Sequence, residues 1–506
     1  MMDATPLFRL FAALRRRQIA AQIPAVTQEA LLLRLLEKAA GTRFGRDHGF
    51  AGIRSVTGFQ RAVPLRSYDS FWRDYWQPEF PVLENVSWPG PIPHFAVSSG
   101  TTSGRTKYIP LTGAMRRANR KAGLDMLAAH LAARPKSHAF AGKSFMLGGS
   151  TVLKREAEGV ASGDISGILA GSMPGWASPF LFPPADLARL TDWEEKTARI
   201  AEAALDTDIR ILGGTPSWLL LFLEKLSALR VARGEPAEPA LPHLELLVHG
   251  GVDFRPYRHR FEAIVAQTGA ELREVYPASE GFIAYADRGT GEGLRLCLDH
   301  GLFYEFVPLE ELDSPNPTRH WIANAEIGVN YALVLSSAAG LWSYVIGDTV
   351  RFVDLDPPRL LVTGRTSYAL SAFGEHLIAD EVEKAVSTAA GIIGAEITDY
   401  AVGAIVPQDG SIGGHLYVVE FDQDVSAADL ARFAAAIDRV LIDENEDYEA
   451  HRSGDFGMHP PRIAAMPHGR FNAWMKSRGK LGAQNKVPRL IADPDLFANL
   501  RRFMGV

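Results

Sequence analysis

The sequence predicts an α/β protein of two parts: a large N-terminal domain with mainly parallel sheets and a β-rich section, and a small α+β C-terminal domain. Three observations lead there. At 506 residues the chain exceeds the length one hydrophobic core usually supports. From about residue 140 to 350, strand-like runs alternate with helix-like runs, the pattern of a parallel sheet with helices on its faces. After about residue 367 the order becomes helix, two strands, long helix, strand.

The elements follow in chain order. Phe8, Leu10, Phe11 and Leu14 stand just before Arg15, Arg16 and Arg17. A secretory signal puts its charge ahead of an unbroken apolar run, whereas Arg9 interrupts this one, so the segment predicts an amphipathic helix docked on the body. Residues 25–41 predict a helix with Leu32, Leu33, Leu35 and Leu36 on one face. Strands are expected at Ser144–Leu147, Ile209–Leu212, Leu244–Val248 and Leu272–Tyr276. Helices are expected after Thr215-Pro216, where proline suits the first turn, and at Tyr257–Gln267. Short pieces at Phe303–Val307, Tyr331–Leu335 and Leu360–Val362 make the β-rich section. The C-terminal part reads as helix His376–Ala389, strands Ile397–Val406 and His415–Phe421, helix Ala427–Asp443 and strand Arg462–Met466. Phe471–Leu490 is polar and punctuated by glycine, the composition of a catalytic loop.

Composition narrows the function classes. Fifty-three Lys plus Arg against fifty-nine Asp plus Glu give a net charge of −6, which argues against a nucleic-acid-coating surface. Cys297 is the one cysteine, so internal disulfides and multi-thiolate metal sites are excluded. A reducing cytoplasm fits that usage, and no run reaches the ~18 apolar residues of a membrane span. A cytoplasmic monomer acting on small molecules is expected, with neither nucleic acid nor membrane as partner.

Four motifs carry candidate chemistry. Ser98-Ser99-Gly100-Thr101-Thr102-Ser103-Gly104-Arg105-Thr106-Lys107 combines backbone that can approach closely, hydroxyl donors and two cations, which suits a polyphosphate. It also reads as a polar surface loop. No Walker A or G-x-G-x-x-G spacing is present. Tyr276-Pro277-Ala278-Ser279-Glu280 ends an expected parallel strand, where ligands of open α/β sheets bind. There an aromatic ring can cover a purine and a carboxylate can hold Mg²⁺; packing and a solvated turn are the plain alternatives. Gly340–Asp348, with Gly364-Arg365 beyond it, offers a carboxylate able to accept from both ribose hydroxyls, or simply a Gly-Asp turn. Gln484-Asn485-Lys486-Val487-Pro488-Arg489 puts a lysine near the C-terminus, where it is either solubilising charge or a cation for a reacting phosphate.

In their order and spacing these motifs resemble the adenylate-forming superfamily, and within it the Gretchen Hagen family of acyl-acid amido synthetases, nearest its bacterial branch. Phe59 and Val63-Pro64-Leu65-Arg66-Ser67-Tyr68 resemble that family's approach to its phosphate loop, which Ser98–Pro110 matches closely. Tyr276–Glu280 resembles Tyr-x-x-Ser-Glu, Tyr304-Glu305-Phe306 the "YFEF" strand, and Gly340–Asp348 the "GLYRYRVGD" segment. Asn445, Tyr448 and Arg452 fall on "LN..Y...R", and Gln484–Arg489 on "QYKVPR". Acyl-CoA synthetases usually end on a Ser-Gly-Lys signature, which is absent.

The resemblance implies an adenylation domain over 1–366 and a mobile C-terminal domain over 367–506, hinged near Arg365–Ser371. It implies that ATP and a carboxylic acid give an acyl-adenylate, whose acyl group passes to an amine, usually that of an amino acid. Ser98, Ser99, Gly100, Thr101 and Thr102 would hold phosphates with Lys107. Tyr276, Ser279, Asp348 and Arg365 would hold the nucleoside, Glu280 the Mg²⁺, and Lys486 would promote adenylation. Val345 stands where the family has arginine and Asn485 where it has tyrosine, both within reach of acid or amine recognition. His249 before Gly250-Gly251 is either the base for the amine or a satisfied turn histidine. Trp176, Phe180 and Trp218 are pocket lining or core.

Overall fold

A computed structural model of the chain describes all residues except 1–2, 100–105, 192, 252–253, 255–257, 290, 367–369, 371, 374, 376, 406–412, 446–447, 450–451, 453–457 and 481–485. The side chains of 98, 99, 106, 193, 194 and 217 also lie outside the description. The chain forms two compact units, Met1–Val252 with Arg260–Val362, and Asp253–His259 with Thr363–Val506.

In the first unit the parallel strands lie side by side as Leu181–Phe182, Lys143–Met146, Ile209–Gly214, Leu246–Gly250 and Glu271–Ala278. The same sheet continues through hairpins and antiparallel neighbours: Gly281–Tyr285, Leu294–Leu296, Pro358–Arg365, Tyr344–Leu355, Asn330–Ser337, Leu302–Pro308 and His320–Trp321. The strands expected from apolar runs are therefore present, most of them extended by one to three residues, whereas Ser144–Leu147 is shifted one residue back to Lys143–Met146 and Leu244–Val248 two residues on to Leu246–Gly250. Leu302–Pro308 is buried at every position, Glu305 included, as a strand covered on both faces requires. Helix Pro216–Ala232 starts with proline in its first turn, as its sequence indicates. The core is densely aromatic. Trp342 is fully buried against Phe50 and Phe59, and its indole N–H donates to Ser87 O at 3.0 Å.

The N-terminal helix, Thr5–Ala20, docks on the body as expected, with Phe8 of its apolar cluster against Phe140. Thr5, Ala12, Arg15 and Ile19 are buried, whereas Leu10 and Leu14 are 66% and 54% exposed. The reason is an ion-pair network that selects the orientation. Arg15 donates to Asp125 and Asp299, both at 2.8 Å, with Lys121 and His300 closing the cluster. Asp125, Asp299 and His300 have the spacing of a metal site, but the Arg15 guanidinium already bridges the two carboxylates. No single described helix is long and apolar enough to cross a membrane; Thr5–Ala20 and Pro24–Ala39 meet that test only as a pair bent by 98°.

The second unit is a four-stranded sheet in the order His459–Met466, Gly414–Phe421, Ile397–Ile405, Leu490–Ile491. Successive residues of a strand face opposite ways, and two cores result. Tyr400, Val402, Tyr417 and Val419 pack with Val382, Val386, Phe433 and Ile437 of helices Ala379–Ile393 and Ala427–Glu444. Ala401, Leu416 and Val418 pack with Phe471, Trp474, Phe497 and Leu500 on the other face. The catalytic loop expected over Phe471–Leu490 is thereby corrected in its first half. Arg470–Ser477 is a helix whose Phe471, Trp474 and Met475, at helical spacing, fill the core.

Candidate active site

The two ends of the Ser98–Lys107 motif lie on an antiparallel pair. Strands His94–Ser99 and Thr106–Leu111 place Ser98 opposite Lys107 and Ser99 opposite Thr106. Gly100, Thr101 and Thr102 lie outside the described residues, as do the side chains of Ser98 and Ser99. Lys107 holds its ammonium 5.6 Å from the ring centre of Tyr68, whose Oη accepts from the Tyr108 N–H at 2.8 Å. Burial pushes the Tyr68 phenol up to about 12, so it stays neutral beside that cation. Tyr68 thus supports the lysine strand, a role the one-dimensional motif does not disclose.

The strand Thr106–Leu111 runs into helix Gly113–Ala133, capped by Thr112, whose hydroxyl accepts from Met115 N–H and donates to Ala338 O. That helix lies on the hairpin behind Tyr276. Asn119 Oδ1 accepts from Phe282 N–H at 2.9 Å. A side chain at Gly281 would meet Met115 and Leu302, which explains the glycine. Ser279 and Glu280 form the two-residue turn between Ala278 and Gly281, and Glu280 is buried, 8% exposed.

Tyr276 and Asp348 come together. They are 72 residues apart in sequence, yet Tyr276 Oη donates to Asp348 Oδ2 at 2.5 Å, with both side chains buried. The bond fixes the carboxylate's orientation at the edge where the Ser279-Glu280 turn follows. The strand of Asp348 is laced to the Val63–Tyr68 segment: Arg66 N–H donates to Ser343 O, and Val345 N–H to Arg66 O. Ser343 adopts φ 45°, a strained value for a residue with a side chain, and Glu305 and Arg319 hold its hydroxyl. Fully buried Glu305, from the "YFEF"-like strand, therefore serves the fold. So do Tyr448 and Arg452, which both bind Asp438, and Asn445, which reaches Glu381.

Sequence reasoning named Gly250-Gly251 but not the set to which it belongs. Three adjacent parallel strands run out into glycine pairs: Gly148-Gly149, Gly213-Gly214 and Gly250-Gly251. A Cβ at Gly250 would fall 2.1 Å from Val275 O, and one at Gly149 2.3 Å from an Asp164 oxygen. Only glycine lets the chains approach this closely. Buried Lys196 ties the first pair, donating to Gly148 O at 3.0 Å and Gly149 O at 2.8 Å, and burial lowers its pKa. Repeated Gly-Gly after expected strands was the available signal. His249 is buried at the end of its strand, opposite Glu274. Trp218 is core at 7% exposure, whereas Trp176 is 77% exposed.

Arg365 and Lys486 belong to the second unit. Arg365 ends the strand Pro358–Arg365 and is half-buried; Lys486 is exposed, just after residues 481–485.

Comparison with known proteins agrees with this arrangement. The GH3 family N-terminal domain matches residues 14–269, its central domain 295–365 and its C-terminal domain 380–495. Indole-3-acetic acid-amido synthetase GH3.3 of Arabidopsis thaliana is 26% identical over 201 residues, 38% of this chain and 33% of that protein. GH3.8 of Oryza sativa subsp. indica, which carries the same synthetase name, is 27% identical over 213 residues, 38% of this chain and 34% of that protein. The match thus spans about a third of the length of these curated relatives. Among solved structures, the GH3.15 acyl acid amido synthetase superposes with a TM-score of 0.81 at 17% identity, covering 97% of this chain and 95% of that one. A 2-hydroxyisobutyryl-CoA ligase in its postadenylation state gives 0.62 at 16% identity, covering 96% and 94%. The chain belongs to the GH3 family.

Proposed function

We propose that this protein is an ATP-dependent acyl-acid amido synthetase of the cytoplasm, joining a carboxylic acid to an amine, most simply an amino acid. The observation that carries the reading is the buried Tyr276–Asp348 pair beside the Ser279-Glu280 turn. Tyr276 supplies a ring, Asp348 a carboxylate oriented by it, and Glu280, four residues on from Tyr276, a second carboxylate, a combination that supports assigning them to nucleoside, ribose and metal–phosphate respectively.

In the first half-reaction a carboxylate oxygen attacks the α-phosphorus of ATP, the bond to the β-phosphate breaks, and pyrophosphate leaves. Such chemistry asks a protein for position and charge rather than a nucleophile. Ser98, Ser99, Gly100, Thr101, Thr102 and Lys107 hold phosphates in this reading. Asp348 accepts from the ribose, with Arg365 beside the nucleotide. Glu280 fits Mg²⁺, since a single hard carboxylate completed by substrate phosphates is how that ion is commonly held. Bound there, the ion would neutralise charge on the phosphates. The domain carrying Lys486, taken as 367–506, turns about the segment near Arg365–Ser371 between half-reactions. In the second half-reaction the amine nitrogen attacks the acyl carbon, AMP leaves with the bonding pair, and the nitrogen gives up its proton.

Asp348→Ala lowers ATP affinity by roughly 10–200-fold, the equivalent of about 1.5–3 kcal/mol for a hydrogen bond to a charged group. The loss shrinks with 2′,3′-dideoxy-ATP, which lacks the hydroxyls in question. Equal losses with both nucleotides in a binding titration make Asp348 structural.

The decisive experiment supplies ATP, Mg²⁺ and a matrix of carboxylic acids and amino acids, with products read by mass. An amide and one AMP per product are expected without coenzyme A. Attack requires the neutral amine, so the second half-reaction quickens from pH 7 to 9. A thioester formed only when coenzyme A is present would overturn the amide assignment and leave adenylation intact.

A further inference from the structure

We propose that Arg489 is the positioning residue for Lys486, setting where the lysine leaves the C-terminal unit; the inference rests on the adenylating role given to that lysine above. Arg489 Nη1 lies 3.0 Å from Glu383 Oε1 on helix Ala379–Ile393, and its Nε 3.9 Å from Asp399 Oδ1 on strand Ile397–Ile405. The guanidinium also stacks over the Tyr400 ring at 4.9 Å. A planar fork reaches two carboxylates and a ring together, which the point charge of a lysine does not. The backbone is held too. Val402 N–H donates to Arg489 O at 2.6 Å, and Leu490 pairs with Val402 in the sheet.

From that anchor to Lys486 is a short, stiff tether. Three residues span at most roughly 11 Å even when extended. Pro488 fixes one backbone angle and confines Val487 to extended conformations. Val487 itself packs against the Trp474–Phe497 core. The stretch before the lysine is fixed at its far end as well: Glu420 accepts from Gly469 N–H at 2.6 Å and Phe471 N–H at 3.0 Å, at the start of helix Arg470–Ser477. Burial raises the Asp399 carboxyl to about 7, with nearby Glu420 adding to the rise and Arg489 opposing it.

The test is a cycle of wild type, Arg489→Gln, Lys486→Ala and the double variant, each assayed for single-turnover adenylation, ATP affinity and melting temperature. Arg489→Gln is expected to slow adenylation roughly ten- to a hundred-fold, the range a misplaced catalytic group produces, with ATP affinity at the wild-type value. In the Lys486→Ala background the same change costs nothing further, because the group it positions is gone. Glu383→Gln gives a smaller loss and Arg489→Lys recovers part of the rate; both keep the test open if Arg489→Gln does not fold. Equal losses in both backgrounds would mean that Arg489 only stabilises the domain, which overturns the proposal. So would a wild-type rate for Arg489→Gln beside a slow Lys486→Ala, and that outcome spares the amido-synthetase reading. A wild-type rate for Lys486→Ala itself removes the lysine's role and this inference with it.

Discussion

With Lys486 replaced by alanine, single-turnover formation of the acyl-adenylate falls roughly 10²–10³-fold while ATP affinity and folding hold. The size is that of one preorganised charge aimed at a transition state. Negative charge builds on the α-phosphate as the carboxylate oxygen approaches, and an ammonium placed there by the protein needs no reorganisation at that moment. Lys486 is exposed and sits three residues ahead of the anchored Arg489. Its side chain can thus be lost without opening a cavity, so melting temperature should stay constant. Because the ammonium acts on the transition state, kcat falls and KM for ATP does not. The amide-forming half-reaction, started from preformed acyl-adenylate, should keep most of its rate. An adenylation rate equal to wild type in rapid-quench measurements would withdraw the assignment.

How far the sequence disclosed this molecule depends on the range of the interactions involved. Largely apolar runs located Ile209–Gly214, Leu302–Pro308 and Asn330–Ser337, since burial on both faces leaves a mostly hydrophobic signature, broken only by Arg210 in the first and Glu305 in the second. Local composition misled at Arg470–Ser477, where arginine, asparagine and lysine on the outer face concealed Phe471, Trp474 and Met475 at helical spacing. The N-terminal helix was legible only in part. Its docking was expected but not its docking face, because the partner that decides the matter, Asp125, lies 110 residues away. Site residues divide in the same way. Lys107, Glu280 and Asp348 stood in motifs whose composition suggests phosphate, metal and ribose. The pairings were not legible, even where both residues stood in motifs: Tyr68 under Lys107, Tyr276 on Asp348, and Lys196 beneath the first glycine pair are contacts between distant segments. Periodicity carries no record of such pairings. The motif around Asn445, Tyr448 and Arg452 shows the converse, for residues conspicuous in sequence prove to bind Asp438 and Glu381, on the two helices of the C-terminal unit.

Arg15→Met is expected to destabilise the first unit by about 3–5 kcal/mol near neutral pH, the loss typical of removing one partner from a buried ion pair. Arg15 is 7% exposed and Asp125 fully buried, so solvent screens the interaction little. Methionine retains most of the packing volume and removes the charge, leaving Asp125 and Asp299 facing one another with only His300 and Lys121 to compensate. The pH dependence gives the effect its signature. Burial alone would raise both carboxyls, but hydrogen bonds from His300 and Arg15 at Asp125, and from Arg15 and Lys121 at Asp299, hold both below the ordinary carboxylate range. A carboxylate with a depressed folded pKa contributes stability that is complete above its unfolded value, near 4, and is lost as pH falls toward the folded one. The gap between wild type and Arg15→Met should therefore be widest at pH 6–7 and close progressively below about pH 4. Leu10→Ser on the same helix supplies the control. Leu10 is 66% exposed, so its replacement should change stability by less than about 0.5 kcal/mol at every pH. Urea unfolding at several pH values measures both variants. A large loss for Leu10→Ser beside a small one for Arg15→Met would return the docking face to the leucine cluster and remove the ion pair from its place in holding the helix.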